Sequence, residues 1–97
     1  MSELKITESM IKSQIKDYLA LKGIFNYHNL QGIGSYKGIP DRIMHYRGRV
    51  VYLEIKTPTG KLSEHQEAFR RQCLEDKVAY WVIRSIEDLE SHLQEGE

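Results

Sequence analysis

The sequence predicts an α/β domain, a mixed four-stranded sheet flanked by helices in the order αβββαβα. Three observations carry this. Apolar residues recur at helical spacing near the N-terminus. Two strand-like segments then flank a tight turn at Arg47-Gly48-Arg49. Finally, Val50 to Ile83 reads as strand, helix, strand, a crossover that makes the last strand parallel to the third. A chain of 97 residues with 40% hydrophobic content forms one domain, residues 1–97, with one modest core.

In chain order, residues 1–5 read as a loose tail. Thr7 caps a helix that runs to about Lys22 and stops at Gly23, with Ile11, Ile15, Tyr18 and Leu19 on its apolar stripe. Glu8 falls on the stripe side. It is either a first-turn acid favoured by the helix dipole or a carboxylate facing the sheet. Ile24 to Leu30 alternates as a first strand. Gln31 to Lys37 is a loop, either a flap over a site or a plain connection. Its Gly32, Gly34 and Gly38 lack dinucleotide-loop spacing, and Pro40 with a strand follows where a helix would be needed. Asp41 to Tyr46 is the second strand, with Pro40 suited to its start. Val50 to Lys56 is the third. Thr57-Pro58-Thr59-Gly60 breaks the chain. Ser63 caps a helix to about Asp76, and Ser63 with Gln66 matches a capping box. Gln66 also shares a face with Phe69 and Cys73. Val78 to Ile83 is an apolar run suited to a strand covered on both faces. Ser85 caps a final helix carrying Ile86, Leu89 and Leu93.

The third strand holds the chemistry. With a period of two, Val51, Leu53 and Ile55 face one way, and Tyr52, Glu54 and Lys56 the other. Glu54 and Lys56 then lie about 7 Å apart along one face. Burying such a pair is costly unless it is hydrogen-bonded or holds a metal. Antiparallel pairing brings Asp41 to the same end. Two carboxylates around an oxygen-lined gap suit magnesium or manganese, and a lysine beside them can orient a water or counter charge on a phosphate.

Composition narrows the function. Net charge is zero, so there is no global pull on nucleic acid. From Lys37 to Lys61, however, there are six Lys or Arg against two acids, Asp41 and Glu54. One cysteine, Cys73, excludes a disulfide framework and a cysteine zinc site. His28, His45, His65 and His92 form no metal-spaced cluster, and Trp81 and Cys73 read as core. No segment has the apolar length of a membrane span or a signal-peptide core, so a cytoplasmic location is expected.

Pro40-Asp41, twelve intervening residues and Glu54-Ile55-Lys56 together resemble the PD-(D/E)xK nuclease superfamily. Glu8, Gly38-Ile39-Pro40-Asp41 and Ser63-x-x-Gln66 look like its VRR-Nuc branch, and the resemblance spans residues 6–86. It implies a restriction-endonuclease-like fold and a magnesium- or manganese-dependent endodeoxyribonuclease. The implied catalytic set is Asp41, Glu54, Lys56, Gln66 and Glu8. The implied metal ligands are Asp41, Glu54 and the Ile55 backbone carbonyl, with Glu8 as a further candidate. Lys37, Tyr36, Arg42 and Lys61 are the expected DNA contacts. Free-standing domains of this branch look like junction resolvases, so the expected activity is structure-selective nicking of Holliday-type four-way junctions by a homodimer. Flap-directed or nonspecific cleavage, and a non-catalytic nucleic-acid-binding module, are the alternatives.

Overall fold

Thr7 opens the first helix by accepting the Met10 N–H on its hydroxyl at 3.2 Å. In the computed structural model, which describes residues 5–95, helix α1 spans Glu8–Leu21. Apart from Lys5, the expected tail lies outside the described residues. The helix buries Ile11, Ile15 and Leu19. It ends where Gly23 takes a positive φ of 70° and Ile24 N–H donates back to the Leu19 carbonyl at 3.0 Å.

Strand β1 is Asn26–His28, shorter than the expected Ile24 to Leu30. The Asn26 side chain donates to the Ile24 carbonyl, and the Asn29 side chain to the Pro40 carbonyl. The first bond is local and turns the chain out of regular pairing before β1, whereas the second ties the chain after β1 to the segment before β2; Phe25 and Asn29 keep single backbone bonds to His45 and Asp41. Strand β2, Arg42–Tyr46, and strand β3, Arg49–Ile55, form a hairpin. Tyr46 pairs with Arg49, so the turn is Arg47-Gly48 alone, both at positive φ. The Arg47 guanidinium lies 5.1 Å from the Tyr46 ring centroid.

Helix α2, Glu64–Asp76, opens on the expected capping box of Ser63 and Gln66. Strand β4, Ala79–Ile83, runs parallel to β3, as the crossover requires. Helix α3, Ile86–Glu95, starts where the Ser85 hydroxyl accepts the Asp88 N–H, and the Tyr46 hydroxyl ties its end by donating to the Leu93 carbonyl at 2.7 Å. The sheet order is β1-β2-β3-β4, and the element order is αβββαβα.

The two faces differ. Met44, Val51, Leu53, Ile55, Trp81 and Ile83 pack with residues of α1 and α3 into the core. Helix α2 covers the other face loosely, and Cys73 is its buried residue among those described. Tyr80 and Val82 therefore stay partly exposed, and the expected burial of this strand on both faces is not met. A mostly polar α2 has too little apolar surface to seal that face.

Candidate functional site

The hairpin register sets the site. Arg42 opposes Leu53, so the residue before Arg42 lies beside the residue after Leu53. Asp41 confirms this by accepting the Ile55 N–H on Oδ2 at 2.7 Å. The carboxylate thereby caps the last residue of β3, the residue whose carbonyl is the third expected ligand.

Glu54 is 1% exposed, and among the described residues it is the buried charged side chain. Its Oε2 accepts from Gln66 Nε2 at 3.4 Å and lies 3.8 Å from Lys56 Nζ. Its Oε1 is buried, and no donor among the described residues reaches it; when protonated, the Glu54 carboxyl instead donates a hydrogen bond to the Asp41 carboxylate. Burial first, then the charge of Asp41, pushes its carboxyl up to about 8, with Lys56 pulling the other way. Gln66 completes the capping box and also reaches Glu54. Its Oε1 accepts the Ser63 N–H at 2.9 Å while its Nε2 reaches Glu54.

Lys56 lies just past β3, where its N–H donates to the Ile83 carbonyl. Its ammonium sits between Glu54 and Glu8, 3.9 Å from the latter. Glu8 is at the rim, with a side chain 40% exposed, and pairs with Lys12 at 3.0 Å. Lys12 in turn reaches Asp41 Oδ1 at 3.1 Å. Burial pulls the Lys12 ammonium down, but its bonds to Glu8 and Asp41 outweigh this and raise it. Carboxylates and ammoniums thus alternate: Glu54, Lys56, Glu8, Lys12, Asp41.

Glu8 is consequently separated from the other two carboxylates by lysines. Among the described residues no group of three or more His, Cys, Asp or Glu gathers as a metal-binding cluster. Asp41 and Glu54 are the adjacent pair. That pair fits a hard divalent cation on two counts. No donor among the described residues reaches a buried acceptor, Glu54 Oε1, and two neighbouring carboxylates raise the proton affinity of one of them, as a site short of positive charge does.

The expected DNA contacts divide. Lys37, Tyr36 and Lys61 are exposed. Arg42 is half-buried, and its guanidinium donates to Asn26 Oδ1 at 2.9 Å. Burial pulls its pKa down, with Asp41 opposing. It braces β1 against β2.

Two residues escaped the sequence reading. Lys12 stands four residues after Glu8, a visible helical ion-pair spacing, but its bond to Asp41 spans the fold. Arg84 donates to the Thr57 and Gly60 carbonyls at 2.6 and 2.7 Å, fixing the loop that follows Lys56. No short motif signals that role.

No family model matches the chain, and neither does any curated protein. A solved structure described as a VRR_NUC domain superposes with a TM-score of 0.76 over 92% of this chain and 97% of the other, at 18% identity. The chain has the fold of that domain. No described helix is long and apolar enough to cross a membrane.

Proposed function

We propose that this chain is a divalent-metal-dependent endonuclease that hydrolyses DNA phosphodiesters. One observation carries the reading: a buried Glu54 carboxyl with an oxygen that no described donor reaches, held beside Asp41 and Lys56 at the end of β3. Such a cluster costs folding energy, and the VRR_NUC-like fold supports a nuclease role for it.

Asp41, Glu54 and the Ile55 carbonyl would hold magnesium or manganese. Once bound, the cation lowers the pKa of a water and offsets charge on the phosphate oxygens. Asp41 is preset for binding by the Ile55 N–H, and Glu54 by the Gln66 amide. Lys56 orients the attacking water and counters the charge that grows on the phosphate. Its side chain is 12% exposed, so little solvent screens that charge. Glu8 holds the Lys56 ammonium from the rim. The expected products carry a 5′-phosphate and a 3′-hydroxyl.

The finer reading is structure-selective nicking of four-way junctions by a homodimer. Exposed Lys37 and Lys61 suit phosphate contacts that carry no sequence information, and two-fold symmetry is the commonest in oligomers. The deciding experiment incubates the protein with labelled junctions, flaps, forks and single strands in magnesium or manganese, with Lys56→Ala in parallel and light scattering for mass. Junction nicking by a dimer, with turnover lost but DNA affinity retained in Lys56→Ala, is the expected result. Flap cleavage by a monomer that spares junctions replaces the finer reading. Wild-type cleavage by Lys56→Ala removes that lysine's role, and binding of DNA with no cleavage in either metal points to a non-catalytic module.

A further inference from the structure

A cleft of about 750 Å³ opens between the loop before β2 and helix α2, within the size range of ligand sites. Tyr36 from the loop, Tyr52 from β3 and Phe69 from α2 supply its aromatic wall. Phe69 meets the Tyr52 ring edge-on at 5.4 Å and the Tyr36 ring at 6.3 Å. Tyr36 remains 75% exposed, a large ring face offered to solvent. Ser35, His65 and Gln72 add hydrogen-bonding groups, and Lys37 adds a positive charge. Asp76 also borders the cleft, but its carboxylate accepts from Gln72 at 3.0 Å.

The cleft is built into the backbone. Gly38 has a φ of 86°, and a Cβ there would overlap the His65 carbonyl. The loop is thus seated on the first turn of α2, which holds the two walls at a set separation.

Its place relative to the carboxylates points to an occupant. Tyr52 precedes Glu54 by two residues on the same strand face, a separation of roughly 7 Å. Phe69 follows Gln66 by three residues on the same helix face. The aromatic wall therefore begins about one extended nucleotide from the carboxylates and continues the same surface. A cavity with π-faces on its wall, polar groups on its sides and a lysine at its mouth matches a base attached to a phosphodiester.

We propose that this cleft receives one unstacked nucleobase of the strand being cut, adjacent to the phosphate engaged at Asp41 and Glu54. The inference rests on the nuclease reading and deepens it: the substrate is a strand with a free or frayed base at the cut. Tyr36, one of the expected DNA contacts, then meets a base.

The test is fluorescence anisotropy without divalent cation, using labelled single strands and junctions in which an abasic site is stepped along the strand. Wild-type protein is expected to lose roughly tenfold in affinity at one abasic position, the size of one base-stacking contact. Tyr36→Ala should lose a similar factor on intact DNA and become insensitive to the abasic position. Phe69→Leu, which keeps an apolar side chain of similar bulk, should behave likewise if Tyr36→Ala proves unstable. Wild-type affinity that is the same at every abasic position, on DNA that the protein cuts, overturns the base pocket and leaves the nuclease reading standing. A shift from dimer to monomer in Tyr36→Ala assigns the cleft to a second copy and also overturns it. Failure of the wild type to bind any DNA removes both readings.

Discussion

The two faces of strand β3 were built for different ends. Toward α1 and α3, Val51, Leu53 and Ile55 are each 0% exposed in a dry apolar layer. Toward α2, Tyr52 and Glu54 meet a polar helix, and among the described residues the two buried side-chain atoms that no donor or acceptor reaches, Glu54 Oε1 and the hydroxyl of Tyr80 in the adjoining β4, both lie on this face of the sheet. The Tyr80 phenol is pushed well above its usual range, chiefly by burial, with Glu54 adding to it. One seven-residue strand thus divides the work, with stability on one side and strain on the other. Unsatisfied polar groups of this kind are what the proposed metal site would draw on.

Separate substitutions should break the comparison cleanly. The largest effect is expected from Glu54→Gln and Asp41→Asn. Each should cut cleavage at least about a thousandfold, by loss of a metal ligand and the charge stabilisation that depends on it. Glu54→Gln should leave thermal stability near wild type below about pH 8, where the buried carboxyl is already neutral, and higher above it, where the native side chain carries a buried charge. Calorimetry with manganese and a melting curve on the same sample check both halves, and unchanged manganese affinity in the two variants would remove the metal assignment.

On the opposite face, Leu53→Ala should cost about 3 kcal/mol of stability through the cavity it leaves. Cleavage measured well below its melting temperature should stay near wild type. Denaturant unfolding and a turnover assay report the two quantities, and a loss of turnover as severe as that of Glu54→Gln would mean the faces are not separable.

Acidity gives a third handle. Glu54 holds its proton up to about pH 8 in the fold, against an ordinary value of 4.5. Between those values the folded chain keeps a proton that the unfolded chain has released. The stabilisation is fully present below the lower value and is lost as pH rises through the upper one. The metal-free melting temperature should therefore fall from pH 5 to 8, and Glu54→Gln should flatten that slope. Added magnesium or manganese should oppose it, since a cation selects the ionised form. A wild-type slope unchanged in Glu54→Gln would assign the effect to other groups.

The smallest effect concerns Lys12, whose ammonium holds Asp41 Oδ1 at 3.1 Å. A cation that uses this oxygen must displace it. Lys12→Met should tighten manganese binding several-fold by calorimetry, whereas weaker binding would make Lys12 a support of the ligand set.

Much of this division could be read from residue order. The alternation in Val50 to Lys56 placed Glu54 and Lys56 together, and antiparallel pairing brought Asp41 toward them, although the turn is Arg47-Gly48 alone, one residue tighter than the expected Arg47-Gly48-Arg49. Long-range hydrogen bonds were less legible. Nothing local marks Arg84 as the holder of two loop carbonyls, and Lys12 reads as an ordinary partner of Glu8. The first strand was overextended because Asn26 and Asn29 spend their side chains on nearby carbonyls, a choice that apolar alternation does not encode. The last strand misled for a related reason. Its apolar run resembles full burial, but α2 is too polar to complete it.

Gln66 makes one amide serve two structures. Its oxygen closes the first turn of α2, and its nitrogen steadies Glu54. Fraying of that turn therefore also loosens one of the contacts on Glu54, leaving Lys56 at 3.8 Å from the same oxygen. Helix ends open far more often than whole domains, so the first turn of α2 is where the setting of the carboxylate is most readily disturbed. Whatever presses on residues 63–66 from outside, including a strand lying across the adjoining cleft, also bears on how firmly Glu54 is held.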